Sequence, residues 1–194
     1  MAKNVYKLIE NAIGDSSSVF QAILNDSKLC KKIQLASEKC IKAYNNNNKL
    51  LFCGNGGSAS DAQHIAAELS GRFYVDRAPL NAQALHVNTS YLTAVANDYG
   101  YKKVYSRMLE ATGNKGDILF GISTSGRSEN ILEAIKQAKQ MGVFTIGLTG
   151  IDGGELKSLC DLVINIPSSN TARIQEAHIL IGHIICESIE RELF

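Results

Sequence analysis

His64 and Glu68 lie four positions apart in a segment, Ser58 to Gly71, that reads as a helix with a separate apolar face at Ala66, Ala67 and Leu69. That spacing puts both side chains on one face, about 6 Å apart in rise. Such a pair can chelate a divalent ion, or supply a base beside an orienting imidazole. The plainer reading is a solvated surface pair. Asp61, one turn earlier, is either a further polar contributor or simple first-turn charge.

A second set lies near the end of the chain, where Gln175, His178 and His183 share a long helical segment with Glu176. The stretch Ile179 to Ile185 is apolar almost all round, which predicts a buried helix, and buried polar residues need partners. Gln175 and His183 are two turns apart, roughly 12 Å in rise, so one ion bridging both would need extended side chains. His178 falls off that line and reads as packing or surface.

Two loops suit an anion. Gly121-Ile-Ser-Thr-Ser-Gly-Arg-Ser128 follows a strand and opens a helix, where unpaired backbone N–H groups carry partial positive charge. Ser123, Thr124, Ser125 and Ser128 add hydroxyl donors, and Gly126 lets the backbone bend. A helix cap with surplus serines is the alternative; four hydroxyls in six residues at a strand end favour phosphate. The other loop, Gly54-Asn-Gly-Gly-Ser-Ala59, matches a loose dinucleotide pattern. The second strand, however, runs into His86, Val87 and Asn88 without the carboxylate that would hold a ribose. No nucleoside triphosphate loop is present either. Two anion-friendly turns fit a small ligand with a phosphate at one end, such as a sugar phosphate. Ser58 reads as the cap of the helix behind the first loop.

The elements that must position these residues alternate. Strands are predicted at Leu50 to Cys53, Ala82 to Val87, Asp117 to Ile122, Val143 to Thr149 and Leu162 to Ile166. Helices are predicted through the first 45 residues and at Ser58 to Gly71, Ser90 to Ala96, Glu129 to Met141 and Thr171 to Glu192. The run Asn45 to Asn48 favours a turn, and Asn97-Asp98 before Tyr99-Gly100 reads as another. This alternation indicates a parallel sheet covered on both faces, with ligands beyond the carboxyl ends of its strands.

The 194 residues favour one domain, with 45% hydrophobic and 20% charged residues and a net charge of +1. That balance does not point to nucleic acid or an anionic membrane as partner. No apolar run approaches the ~20 residues of a membrane span. Met1 to Leu8 lacks the apolar core of a secretory signal, so a cytoplasmic protein is expected. The five cysteines (Cys30, Cys40, Cys53, Cys160, Cys186) show no paired spacing and read as small buried hydrophobes.

Together these residues resemble the phosphoheptose isomerases of the sugar-isomerase (SIS) domain family. The likeness rests on Cys53-Gly-Asn-Gly-Gly-Ser58, Asp61-Ala-Gln-His64, Ala67-Glu-Leu69, Asn97-Asp98, Gly121 to Gly126, and Arg173-Ile-Gln-Glu176 with His183. It implies a three-layer αβα sandwich with a five-stranded parallel sheet, extended by N-terminal helices that pack on the sandwich or serve oligomerisation. It further implies a homotetramer with active sites at subunit interfaces. The implied reaction converts D-sedoheptulose 7-phosphate to D-glycero-D-manno-heptose 7-phosphate, towards nucleotide-activated heptose for bacterial surface polysaccharide. By position, Asn55, Gly56, Gly57, Asn97 and Asp98 would contact the sugar, and Ser123, Thr124, Ser125 and Ser128 the phosphate. His64, Glu68, Gln175 and His183 would bind one zinc ion per subunit, with Glu68 and Gln175 also facing substrate. Ala172 stands where some relatives carry an acidic residue, so no role carries over there.

Ketose-to-aldose isomerisation needs a base to move a proton from C1 to C2 and an acid at the neighbouring oxygen. Glu68 is the expected base and His183 the expected acid, with ligands converging from different subunits to relieve the 12 Å separation. The rival is a non-enzymatic phosphosugar-binding scaffold of the same superfamily, and a second is an isomerase of another sugar phosphate.

Overall fold

The computed structural model describes residues 2–194; Met1, the first residue read above for a leader, lies outside them. The N-terminal helical region divides at Asp26 into α1 (Ala2–Asn25) and α2 (Ser27–Asn45). The Asp26 carboxylate accepts from Lys28 N and Leu29 N, which caps α2 and makes the break a defined corner. The asparagine run then turns the chain, with Asn47 in the left-handed region at φ 59°.

Five parallel strands follow: β1 (Leu50–Gly54), β2 (Ala82–Ala84), β3 (Ile118–Ile122), β4 (Phe144–Thr149) and β5 (Leu162–Asn165). Their spatial order is β2-β1-β3-β4-β5. Between them run α3 (Gly57–Ser70), α4 (Thr89–Tyr99), α5 (Val104–Thr112), α6 (Glu129–Met141), the short α7 (Leu156–Leu159) and α8 (Thr171–Leu193). Strand side chains alternate between two cores. Leu50, Phe52, Ile118 and Phe120 pack with α2, α3 and α8, while Leu51, Cys53 and Leu119 pack with α5 and α6. Among the described residues, no helix is long and apolar enough to cross a membrane.

The predicted architecture is present, and three of its differences bear on the site's surroundings. The second strand ends at Ala84: Leu85 N still donates to Phe52 O, and the chain then leaves the sheet edge while β1 continues to Gly54. Asn97 and Asp98 form the last turn of α4, and the actual turn is Gly100 at φ 83°. Helix α5 was not anticipated; Val104, Tyr105, Met108 and Leu109 form its buried face. Its nine residues offer too short a window for a clear helical period.

Chain order reverses direction across the sheet at β1, whose neighbours are β2 on one side and β3 on the other. A doubly wound sheet opens its ligand crevice at this point. Asp117 holds the opposite end of the same strand pair. Its buried carboxylate meets Lys49 Nζ at 2.6 Å and accepts from Lys49 N and Asn114 N. Of the cysteines, Cys40, Cys53 and Cys186 are buried and Cys30 is exposed, and all five are free thiols. Burial pushes the Cys186 thiol up to about 12.

His178 turns out to be packing, fully buried on α8. Its Nε2 faces the Thr149 carbonyl at the end of β4, 3.3 Å away. A carbonyl only accepts, so Nε2 carries the proton and Nδ1 is left buried without a partner. Burial pushes the imidazole down to about 4, against the weaker pull of the Thr149 carbonyl. Because the unfolded chain protonates His178 first, stability is full above about pH 6.5 and falls as pH drops towards about 4, by up to ~3 kcal/mol. Urea titrations of wild type and His178→Leu across this range should show a shallower pH dependence in the variant.

Candidate functional site

Both anion-friendly loops leave adjacent strands at their carboxyl ends, since Gly54 of β1 is paired with Ile122 of β3. The first loop doubles back tightly. Gly54 backs onto the Ser58 carbonyl, where any side chain would strike backbone. Gly56, at φ 55°, is the N-cap of α3 and supplies no side chain for capping. The expected capping role of Ser58 is therefore overturned: α3 has already begun at Gly57, and the Ser58 side chain is buried. Gln175 sits against Gly57, so close that a Cβ there would lie 2.5 Å from Nε2. This contact brings α8 over the start of the first loop.

The second loop is a cluster of hydroxyls. Ser123 Oγ lies 3.0 Å from Ser128 Oγ and 3.4 Å from Ser125 Oγ, and it accepts from Gly126 N at 3.1 Å. Ser128 is the N-cap of α6 but makes no side-chain cap bond, so its hydroxyl faces the cluster. Gly126, at φ 64°, backs onto the Gly153 carbonyl, and its own carbonyl accepts from Glu155 N. Thr124 O accepts from Gly150 N. The turn is thus braced from behind, with its hydroxyls and the opening N–H groups of α6 at the strand ends. At the rim, Arg127 reaches the Asp152 carboxylate at 2.9 Å.

Helices α3 and α8 bring the third component together. His64 Nε2 lies 2.9 Å from Glu68 Oε1 and 3.4 Å from His183 Nε2. One ligand atom from each of His64, Glu68 and His183 falls within 4.8 Å of the others. All three come from one chain, so the expectation that donors must converge from different subunits is not needed for this trio. Two imidazole nitrogens and one carboxylate oxygen suit a divalent transition-metal ion. The 12 Å rise between Gln175 and His183 is not bridged by stretching along α8. Instead Gln175 lies beside the first loop and His183 beside His64.

What permits this meeting is the residue before His183. A Cβ on Gly182 would lie 2.5 Å from Ile65 Cδ1 and 2.7 Å from Ile65 Cγ1, so α8 crosses α3 at the distance only glycine allows. Phe73 then lies against the His183 ring, with centroids 5.6 Å apart. The loop carrying Phe73 is held by Glu190, which accepts from Phe73 N, Tyr74 N, Val75 N and Arg77 Nε. Burial alone would raise the Glu190 carboxyl, but these four donors outweigh it and hold it below its ordinary value. Arg77 also donates to the Glu68 and Leu69 carbonyls, closing the end of α3.

Asp61 is no surface charge. Its Oδ2 is buried without a partner, and burial pushes the carboxyl up to about 6, with His64 pulling the other way. Asn97 and Asp98 are exposed and bond to each other at 2.9 Å. Asn55 has its side-chain amide engaged with Asn130 on α6, a residue sequence reasoning passed over. Gly182, Arg77 and Glu190 were also missed. Only Glu190 left a signal, as a carboxylate on the apolar face of a buried helix.

A parallel doubly wound sheet with a serine turn at its switch point defines an α/β protein with a seat for a small anion. The SIS domain family model matches residues 16–150. The chain is 53% identical over 186 residues to a phosphoheptose isomerase of Clostridium acetobutylicum, covering 96% of this chain and 95% of that one. It is 52% identical over 192 residues to phosphoheptose isomerase 2 of Campylobacter jejuni, covering 99% and 96%. The structure of phosphoheptose isomerase from Neisseria gonorrhoeae superposes with a TM-score of 0.91 at 40% identity, over 96% of this chain and 99% of that one. The chain belongs to the SIS domain family, and within it to the phosphoheptose isomerases.

Adding one methyl at Gly182 separates positioning from stability. Ala gains about 1 kcal/mol of helix propensity, while overpacking against Ile65 costs about 1–3 kcal/mol. Gly182→Ala should therefore cost at most about 2 kcal/mol of stability, yet weaken any divalent-ion binding by the trio about tenfold by moving His183 from His64 and Glu68. Adding Ile65→Ala should restore affinity; calorimetric titration with Zn2+ checks both.

Proposed function

We propose that this chain converts D-sedoheptulose 7-phosphate to D-glycero-D-manno-heptose 7-phosphate, supplying heptose for a bacterial surface polysaccharide. The observation that carries the reading is the grouping of His64, Glu68 and His183 in a chain that also carries the serine turn and is about half identical to phosphoheptose isomerases over nearly its full length. A non-enzymatic binder is not favoured, because the relatives named above are isomerases and Glu68 is present.

In this reading the 7-phosphate lies against Ser123, Thr124, Ser125 and Ser128 and the start of α6. Asn55, Gly56, Gly57, Asn97, Asp98 and Gln175 face the sugar hydroxyls. The far end of the sugar then lies near α3. Glu68 removes a proton from C1, leaving an enediol, and returns a proton to C2. The oxygen on C2 gains a proton while the oxygen on C1 loses one, so charge balances over the reaction. His183 serves as the acid at C2 oxygen.

His64, Glu68 and His183, with the Gln175 amide oxygen of a second subunit as fourth donor, are proposed to hold one zinc ion. When bound, the ion would polarise the two substrate oxygens. Nε2 of His183 faces His64, and one atom cannot hold an ion and carry a proton in the same state. His183 is therefore the acid only when that position is free of metal.

We also propose a cytoplasmic homotetramer built from this single domain. Val5, Tyr6, Leu8, Ile9 and Ile13 leave an apolar stripe of α1 exposed, which a second subunit would cover. Light scattering measures the mass directly.

Glu68→Gln keeps the shape of the site and removes the base. Turnover of sedoheptulose 7-phosphate, followed by product analysis, should fall at least ~10²-fold with the circular dichroism unchanged. Retained turnover would overturn the role of Glu68. Wild-type protein giving no aldose, with or without a chelator, would overturn the proposed activity.

A further inference from the structure

Asn130 is the second residue of α6, next to the serine turn, and only 3% exposed. Asn55 directly follows β1 and opens the first loop. Their amides pair reciprocally: Asn55 Nδ2 donates to Asn130 Oδ1 at 2.9 Å, and Asn130 Nδ2 donates back to Asn55 Oδ1 at 2.8 Å. Asn130 Oδ1 also accepts from its neighbour Ile131 N at 3.0 Å, which fixes the rotation of its amide. On the other side, Tyr101 Oη approaches Asn55 Oδ1 at 3.4 Å and Tyr105 Oη at 3.5 Å, and Tyr105 donates to the Gly54 carbonyl.

We infer that Asn130 is a positioning residue that sets the distance between the sugar-facing loop and the phosphate turn by pairing with Asn55. Burying an amide is costly unless every polar atom finds a partner, and an apolar side chain would fill the same space more cheaply. A reciprocal amide pair fixes both separation and orientation, which apolar contact does not. The strands alone set the two loops only as far as Gly54 and Ile122, where their register ends. Beyond them, this pair is a direct side-chain link from the first loop to α6. It matters for chemistry because α3 begins two residues after Asn55 and carries His64 and Glu68. The pair therefore also sets where the start of α3 stands relative to the serine turn.

The inference rests on the proposed isomerase reading, and the two fail in different ways. Asn130→Ala, Asn55→Ala and the double variant are compared with wild type by steady-state kinetics on sedoheptulose 7-phosphate, by inhibition with inorganic phosphate, and by thermal melting. Asn130→Ala should lower kcat/KM about tenfold, the effect of leaving the half-buried Asn55 amide without its partner. The inhibition constant of inorganic phosphate should stay within about twofold, because the serine turn keeps its own bonds. In the Asn55→Ala background, the Asn130 substitution should cost nothing further. Wild-type kcat/KM in a folded Asn130→Ala protein would overturn the inference. So would an equal loss in both backgrounds, since that means Asn130 acts through the fold and not through Asn55. If Asn130→Ala does not melt cooperatively, Asn130→Leu fills the volume and is read by the same criteria. An inactive wild type would overturn the isomerase reading and this inference with it.

Discussion

The crossing of α8 over α3 at Gly182 is the constraint on which the site depends. Ile65 occupies the space a side chain at 182 would need, so the two helices meet with almost no separation. His64 precedes Ile65 and His183 follows Gly182. The same contact that packs the core therefore brings the two imidazoles within 3.4 Å. Glu68 joins them because it stands one turn along α3 from His64. No long side-chain reach is required, and one chain suffices for the trio.

Around this crossing, polar groups are arranged to keep it in place. Glu190 lies deep on α8 and could not stay ionised there without partners. It receives three backbone N–H bonds and the Arg77 guanidinium, while Arg77 in turn closes the last carbonyls of α3. The loop between them presents Phe73 to the His183 ring. On the other side of the sheet's switch point, the serine turn is braced by the Gly150 to Glu155 segment, with Gly126 at the contact. The site is thus assembled from two halves, the α3–α8 pair and the β3–α6 turn. Each half is held by buried bonds of its own.

Much of this was legible in the sequence. The parallel sheet followed from apolar runs alternating with helical periods, and the serine turn from hydroxyl density at a strand end. His64 and Glu68 followed from four-residue spacing. The resemblance to phosphoheptose isomerases supplied what spacing could not, the grouping of α3 with α8. Close approaches were illegible because their signal is a missing side chain: Gly182 in an apolar helix looks like a weak helix former until Ile65 is seen against it. Asn130 was passed over for a related reason. An asparagine early in a helix reads as capping residue or surface, and only tertiary structure reveals that Asn55 faces it. Ser58 misled in the opposite way, since the cap pattern was present but the tight turn at Gly54 and Gly56 started the helix before it.

The central claim is that Glu68 moves a proton between C1 and C2 at this site through an enediol. Turnover of sedoheptulose 7-phosphate in D2O, with the product examined by proton NMR, tests it most directly. A proton held by a carboxylate exchanges with solvent, so the aldose formed should carry deuterium at C2. Product formed at the normal rate with protium alone at C2 would mean that the hydrogen never resides on a group in exchange with solvent, and would contradict the account.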